Sequence, residues 1–298
     1  MHGEQTRRAT AAQPEWLAQV PTDKRFPDGA RLLFTGCGTS FHAAQTGANG
    51  SGGEAVGALE LVLRPDRDAD LLVLVSHEGE TPLTLEAARA WRGSRWLVTG
   101  RRDGPIAELC DEVVVCTPEI EESWCHTASY TCAVAAIAAL LGEDVSRLPG
   151  DVEEALAADL PLVGNQERFL VAGAGRDLAT AHEATLKLRE GAWVAAEAYE
   201  TEQLLHGYLA AVDESVRAFV LEGEGIAAER AAAAVAALRE LECDATLVPT
   251  LHPVVDIVMF QRLTVRIAEL RGREPDRIRR HDPRWAAAAR AAQADNAA

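Results

Sequence analysis

The sequence predicts an α/β fold of two tandem, doubly wound parallel sheets with helices on both faces, and three observations predict it. Short, continuously apolar β-rich runs alternate with helical patterns along most of the chain. Strands covered on both faces read this way, and the helices between them are the crossovers a parallel sheet needs. The order strand, Gly-x-Gly, helix occurs twice, in RLLFTGCGTSFHAAQTG (31–47) and RFLVAGAGRDLATAHEA (168–184). Between these two units lies a polar, proline-punctuated stretch, residues 143–162, with a short helix of its own. An internal duplication is the economical reading of two such units.

In chain order, residues 1–29 form an N-terminal helical or extended segment. Strands are expected at 31–36, 58–64, 70–76, 95–100 and 112–117, from their runs of Leu and Val with Phe or Trp. Helical spacing falls at 39–48, 82–93, 104–110 and 126–142. The first domain is therefore 30–160 and the second 161–298. The second opens with a strand at 168–173 and a helix after Gly175, for which Asp177 is the expected cap. It continues with a strand at 217–223, a helix at 226–240, a strand at 244–250 and a long helix at 254–271. The alanine-rich tail AAAARAAQADNAA (286–298) is low-complexity and reads as a fraying helix.

Composition excludes several classes of function. The chain has 298 residues, with 29 Lys plus Arg against 46 Asp plus Glu, a formal charge of −17. Such an acidic surface repels a phosphate backbone and an anionic bilayer, so neither nucleic acid nor membrane is an expected partner. The longest apolar run, around residues 133–141, is far short of the roughly 20 residues a span requires. No secretory signal is visible in MHGEQTRRAT. Six cysteines (37, 110, 116, 125, 132, 243) are sparse and unpaired in spacing, and Cys125-His126 is an isolated neighbour pair. Small buried side chains in a reduced, cytoplasmic protein are the expectation, and no metal site is expected.

Both glycine turns lack the third glycine of a dinucleotide fingerprint, with Phe41 and Leu178 at that place, so no nicotinamide cofactor is expected. What remains is anion binding at the start of a helix. Two hydroxyl-rich loops follow strands of the first unit: Gly36-Cys37-Gly38-Thr39-Ser40 and Ser76-His77-Glu78-Gly79-Glu80-Thr81. Open α/β sheets place ligands at such strand ends, and small hydroxyls with free amides suit a phosphate monoester. Thr39, Ser40 and Thr81 could equally serve as simple helix caps.

A second segment, HEATLKLREGAWVAAEAYETEQLLHG (182–207), places Glu183, Lys187 and Glu190 at i, i+4 and i+7 on one helix face. A solvated ion pair there would not distinguish lysine from arginine. Yet only two of the chain's 29 basic residues, Lys24 and Lys187, are lysine. A compact ammonium, or an amine of adjustable pKa, is the better reason for a lysine at 187.

These motifs resemble the sugar isomerase (SIS) domain family, as found twice in the isomerase half of glucosamine-6-phosphate synthase. The resemblance runs over roughly residues 13–285 and includes Gln13-Pro14, TASYT (127–131, with Ala128 where lysine is usual) and GREPDRIRR in the C-terminal segment. It implies that Cys37, Gly38, Thr39, Ser40, Ser76, His77, Glu78 and Thr81 form the substrate- and phosphate-binding loops. Glu78 stands where the family has serine, and a carboxylate beside a phosphate is repulsive. The resemblance puts Glu190 on the family's proton-transfer carboxylate, His206 on its ring-opening histidine, and Glu183 and Lys187 on the accompanying acidic and basic positions. Aldose–ketose interconversion needs just such a base and acid. The family's C-terminal lysine, which forms a Schiff base, is missing, as is the N-terminal cysteine that hydrolyses glutamine. Glutamine-dependent amidotransfer is therefore not expected. In the family the histidine comes from a neighbouring subunit, which implies a homodimer. The expected activity is that of a sugar-phosphate isomerase or aminosugar-phosphate deaminase/isomerase without a cofactor; the alternative is a non-catalytic sugar-phosphate sensor.

Overall fold

The computed structural model describes residues 2–292; the last six residues of the alanine-rich tail lie outside them. Helix α1 (Glu4–Leu17) precedes the first sheet, whose strands are β1 (Leu32–Gly36), β2 (Glu54–Gly57), β3 (Leu71–Val75), β4 (Ser94–Thr99) and β5 (Glu112–Val115). All neighbouring strands are parallel, in the order β2-β1-β3-β4-β5. The connecting helices are α2 (Thr39–Ser51), α3 (Ala58–Leu63) and α4 (Pro82–Ala90), followed by α5 (Ala128–Leu140) and α6 (Leu148–Ala157). The second sheet, in the order β7-β6-β8-β9, has β6 (Arg168–Gly173), β7 (Ala195–Glu200), β8 (Val216–Leu221) and β9 (Asp244–Val248). Its helices are α7 (Asp177–Ala192), α8 (Thr201–Leu205), α9 (Ile226–Glu240) and α10 (Pro253–Leu270), with α11 (Pro283–Ala291) in the C-terminal segment.

Strands β1 and β3 are buried at every residue, as continuous apolar runs must be when helices cover both faces. Helix α5 is buried at all of its residues and apolar on every side, the pattern of a helix enclosed by protein. One continuous core contains Phe34 and Val73 of the first sheet, Val171 and Phe219 of the second, and Phe260 of α10.

Four expectations need correction. Residues 58–64 are not a strand: Ala58 and Leu61 are buried one helical turn apart, while Leu59 and Leu63 are 52% and 63% exposed, so the apolar run has helical period. The strand of this stretch is the four-residue β2 just before it. The helix expected at 104–110 is a single 3₁₀ turn at Ala107–Leu109. Strand β7 is an unforeseen edge strand; its AAEAYE sequence is made of weak strand formers. Asp177 does not cap α7 but is the helix's first residue, buried, with Arg176 at the cap position.

The two glycine turns share a physical reason. A Cβ on Gly36 would lie 2.9 Å from the Ser40 carbonyl oxygen, and one on Gly173 would lie 2.6 Å from that of Asp177. Gly38 and Gly175 adopt φ of 56° and 57°. Each strand can therefore run tightly into its helix only with glycine at both places. Among the described residues, no helix is long and apolar enough to cross a membrane.

Candidate active site

The principal cavity, about 520 Å³, opens beyond the carboxyl ends of β1, β3 and β4, where an open parallel sheet presents its ligand crevice. Cys37, Gly38, Thr39 and Ser40 line it from the loop after β1, and His77, Glu78 and Thr81 line it from the loop after β3. Ser76 is buried beneath, with its Oγ 3.2 Å from the Thr81 hydroxyl, so it supports the loop. No side chain caps the first turn of α2 or α4. Both helix starts lie in the lining of the same crevice, with Ser40 and Thr81 beside them, while the Thr39 hydroxyl is engaged by Glu183 and Lys187. Burial raises the Cys37 thiol, which accepts a contact from Thr84 Oγ1 at 3.7 Å; it is a protonated wall group rather than a nucleophile.

Glu78 is exposed on the cavity rim and has no ion-pair or hydrogen-bond partner among the described residues. Its neighbour Glu80 is held by Arg101 at 3.1 Å. His77 accepts the Glu121 backbone N–H at Nε2 (3.0 Å), which places the proton of the neutral ring on Nδ1. Burial, with His126 alongside, lowers His77 to about 4. His126, whose ring lies 5.3 Å from that of His77, is also lowered to about 4 by burial and then by Lys187. Both rings are neutral at pH 7. Glu121 itself is buried and accepts the backbone N–H groups of Thr127 (2.7 Å) and Ser129 (2.8 Å), fixing the entry into α5.

The far wall comes from the second half. Glu190 on α7 lines the cavity with its side chain 23% exposed. Lys187 is fully buried and donates to Glu190 Oε2 (2.8 Å), Thr39 Oγ1 (3.0 Å) and the Cys125 carbonyl (3.2 Å). Three acceptors consume the three protons of one ammonium. Burial alone would lower Lys187, but the carboxylates of Glu183 and Glu190 outweigh it and hold the amine above the ordinary lysine range. Lys187 is thus a satisfied charge, not a free amine. Glu183 is equally buried and lies 2.8 Å from His42 Nδ1, 3.2 Å from the donating Thr39 hydroxyl and 3.4 Å from Lys187. These two residues bind α7 to the start of α2 and do not line the cavity; they position Glu190. Burial raises the Glu190 carboxyl above its usual range, against the opposing pull of Lys187. Desolvation of this kind strengthens a carboxylate as a base.

His206 stands apart. It lies at the end of α8, 70% exposed and 2.9 Å from Glu202, outside the residues that line the cavity. Conversely, Trp124, His126, Ile278 and Arg280 line the cavity although none was a candidate site residue from the sequence. His126 carried only the weak signal of its pairing with Cys125, and tertiary folding alone brings the C-terminal segment to the site. No cluster of His, Cys, Asp and Glu that could hold a metal ion occurs among the described residues.

No protein-family model matches the chain. It is 29% identical over 259 residues to a glutamine–fructose-6-phosphate aminotransferase (isomerizing) of Thermus thermophilus, covering 70% of this chain and 43% of that protein. To the enzyme of the same name from Aeropyrum pernix it is 28% identical over 307 residues, covering 84% and 50%. The chain therefore spans about half the length of the curated relatives it matches. Among solved structures, it superposes on the C-terminal domain of glucosamine-fructose-6-phosphate aminotransferase from Francisella tularensis with TM-score 0.77 and 19% identity, covering 92% of this chain and 98% of that one. Glucosamine-6-phosphate deaminase from Thermotoga maritima gives 0.76 and 20%, covering 92% and 97%. Tagatose-6-phosphate ketose/aldose isomerase from Escherichia coli gives 0.78 and 16%, covering 93% and 95%. These structural likenesses establish the fold.

Proposed function

We propose that this chain, an SIS-type protein resembling the isomerase half of the glutamine–fructose-6-phosphate aminotransferases, interconverts aldose and ketose forms of a sugar phosphate or aminosugar phosphate, with release of the amine where the substrate carries one. The observation that carries this reading is Glu190: a desolvated carboxylate on the cavity wall, held by a buried lysine, in the same cavity as two hydroxyl-lined helix starts. In this reading the backbone amides at the two helix starts and the hydroxyls of Ser40 and Thr81 hold the substrate's oxyanion, and Glu190 moves a proton between adjacent sugar carbons. His206 opens the ring from a second copy of the chain, which makes the working unit a homodimer. Its distance from the cavity of its own chain favours this arrangement. No glutamine-dependent step is assigned.

Residues 30–160 and 161–298 are two SIS-type domains that follow the segment 1–29 and descend from one duplicated unit; their matching glycine turns and crossovers support this. Six cysteines, all free, favour a reducing cytoplasmic setting.

The test is turnover of glucosamine-6-phosphate, galactosamine-6-phosphate and fructose-6-phosphate, with exchange of the C–H proton for deuterium followed by NMR. Glu190→Gln is expected to lower exchange by about 10³-fold with the fold intact. Mixing Glu190→Gln with His206→Ala chains is expected to restore part of the activity, because one of the two sites in a mixed dimer is then complete. Exchange by Glu190→Gln at the wild-type rate would overturn the reading. Binding without exchange in the wild type would identify a sensor instead.

A further inference from the structure

The cavity has an uneven distribution of charge. Among the described residues that line it, Glu78, Glu80 and Glu190 are acidic, the two histidines are neutral, and Arg280 is the one lysine or arginine. No described residue forms an ion pair or a side-chain hydrogen bond with Arg280; its guanidinium rests 5.2 Å over the ring of Trp124. A cation with no carboxylate partner, in a cavity otherwise acidic or neutral, is available to a ligand.

The backbone is built to place it there. Ile278 and Arg279 adopt φ of 42° and 64°, a conformation that costs a β-branched residue dearly. Strain of this kind persists only when its surroundings fix it on both sides. On one side, buried Asp276 accepts the backbone N–H groups of Gln5 (3.0 Å) and Thr6 (2.9 Å) and the Thr6 hydroxyl (2.7 Å). On the other, the Arg279 guanidinium lies between Trp193 (4.8 Å) and Trp285 (3.3 Å). The turn abuts the proposed base, for Ile278 and Glu190 line both this cavity and the adjoining groove.

We propose that Arg280 is a catalytic residue that stabilises the oxyanion formed when Glu190 removes a proton from the substrate. The inference rests on the isomerase reading. The Glu190 carboxylate takes the proton from the carbon beside the carbonyl. The C–H electron pair becomes the carbon–carbon double bond of an enediolate, and the carbonyl π pair moves onto oxygen. Arg280 donates N–H bonds to that oxygen. Protonated Glu190 then returns its proton to the neighbouring carbon, while one hydroxyl proton passes between the two oxygens through solvent in the open cavity. Always protonated, a guanidinium forms no imine, and this route requires none.

Arabinonate 5-phosphate, whose carboxylate mimics the charge of the enediolate, and neutral-headed arabinitol 5-phosphate separate the alternatives by calorimetry. The wild type is expected to bind the arabinonate at least tenfold more tightly, Arg280→Ala to erase the preference, and Arg280→Lys to keep part of it. Exchange at the substrate carbon should fall about 10²-fold in Arg280→Ala with KM little changed, as for loss of one oxyanion donor. An unaltered preference in Arg280→Ala, or no preference in the wild type, overturns the proposal. Glu190→Gln is expected to keep the arabinonate preference while losing exchange. Retained exchange in that variant defeats the isomerase reading instead, so the two failures are distinguishable.

Discussion

The two glycine turns share a backbone and differ in what fills them. In the first, the fourth residue after the leading glycine is Ser40, and the turn lines the cavity. In the second, the same place is taken by Asp177, whose carboxylate is buried with its Oδ1 3.6 Å from Arg176. A second carboxylate, Asp256, lies close behind, with Oδ1 accepting the Leu251 N–H at 2.8 Å. The first turn carries hydroxyl side chains on a cavity wall where the second carries a buried carboxylate. Similar halves need not contribute alike; here one half lines the cavity with its two glycine- and hydroxyl-bearing loops and the other with Glu190.

The sharpest way to break this division of labour is at the joint between the halves. Lys187→Met leaves Glu183 and Glu190 buried without their cation and should cost about 3–5 kcal/mol of unfolding free energy in urea. A loss under about 1 kcal/mol would mean that the ion network does not hold α7 on α2.

The second turn makes a pH prediction. Burial, more than the nearby Asp177, raises Asp256 to about 7. A carboxyl raised in the folded state contributes stability that is full below the unfolded value near 4 and is lost as pH rises through about 7. Asp256→Asn keeps an acceptor for Leu251 and removes the titration. The variant should gain up to about 3 kcal/mol on the wild type between pH 5 and pH 9, read from urea midpoints at each pH. Parallel curves would show that Asp256 is ionised throughout.

The smallest change sharpens the first turn. Glu78→Ser removes the negative charge from the rim of the ligand loops and should tighten binding of fructose-6-phosphate by about tenfold in calorimetry, an effect that shrinks with added salt. Weaker binding would make Glu78 a ligand contact.

Legibility followed the kind of force involved. Strands β1, β3, β6 and β8 stood out because continuous apolar runs report burial on both faces, a local signal. Edge strands β2 and β7 did not, since EAVG and AAEAYE bury little and take their strand form from β1 and β6 beside them. The loop residues could be read because glycines and hydroxyls must be contiguous to make a helix-start anion site. The rarity of lysine pointed rightly to a special environment at 187, but not to its nature, because the Cys125 carbonyl and Thr39 that saturate the amine are 62 and 148 residues away in sequence. The segments holding Arg280 and His126 were noted, but not these residues' place on the cavity wall, because a wall assembled from distant segments has no spacing of its own.

Helix α5, apolar on every side, has a consequence for how the chain can be divided. It packs against α1, α2 and α10, and Gln261 of α10 donates to the Thr127 carbonyl just before it. A fragment ending near residue 160 would leave the α10 side of this helix in water, a contiguous apolar surface of the kind that drives association. The two halves should therefore melt as one cooperative unit, and a gene cut between them should yield insoluble pieces rather than two working modules.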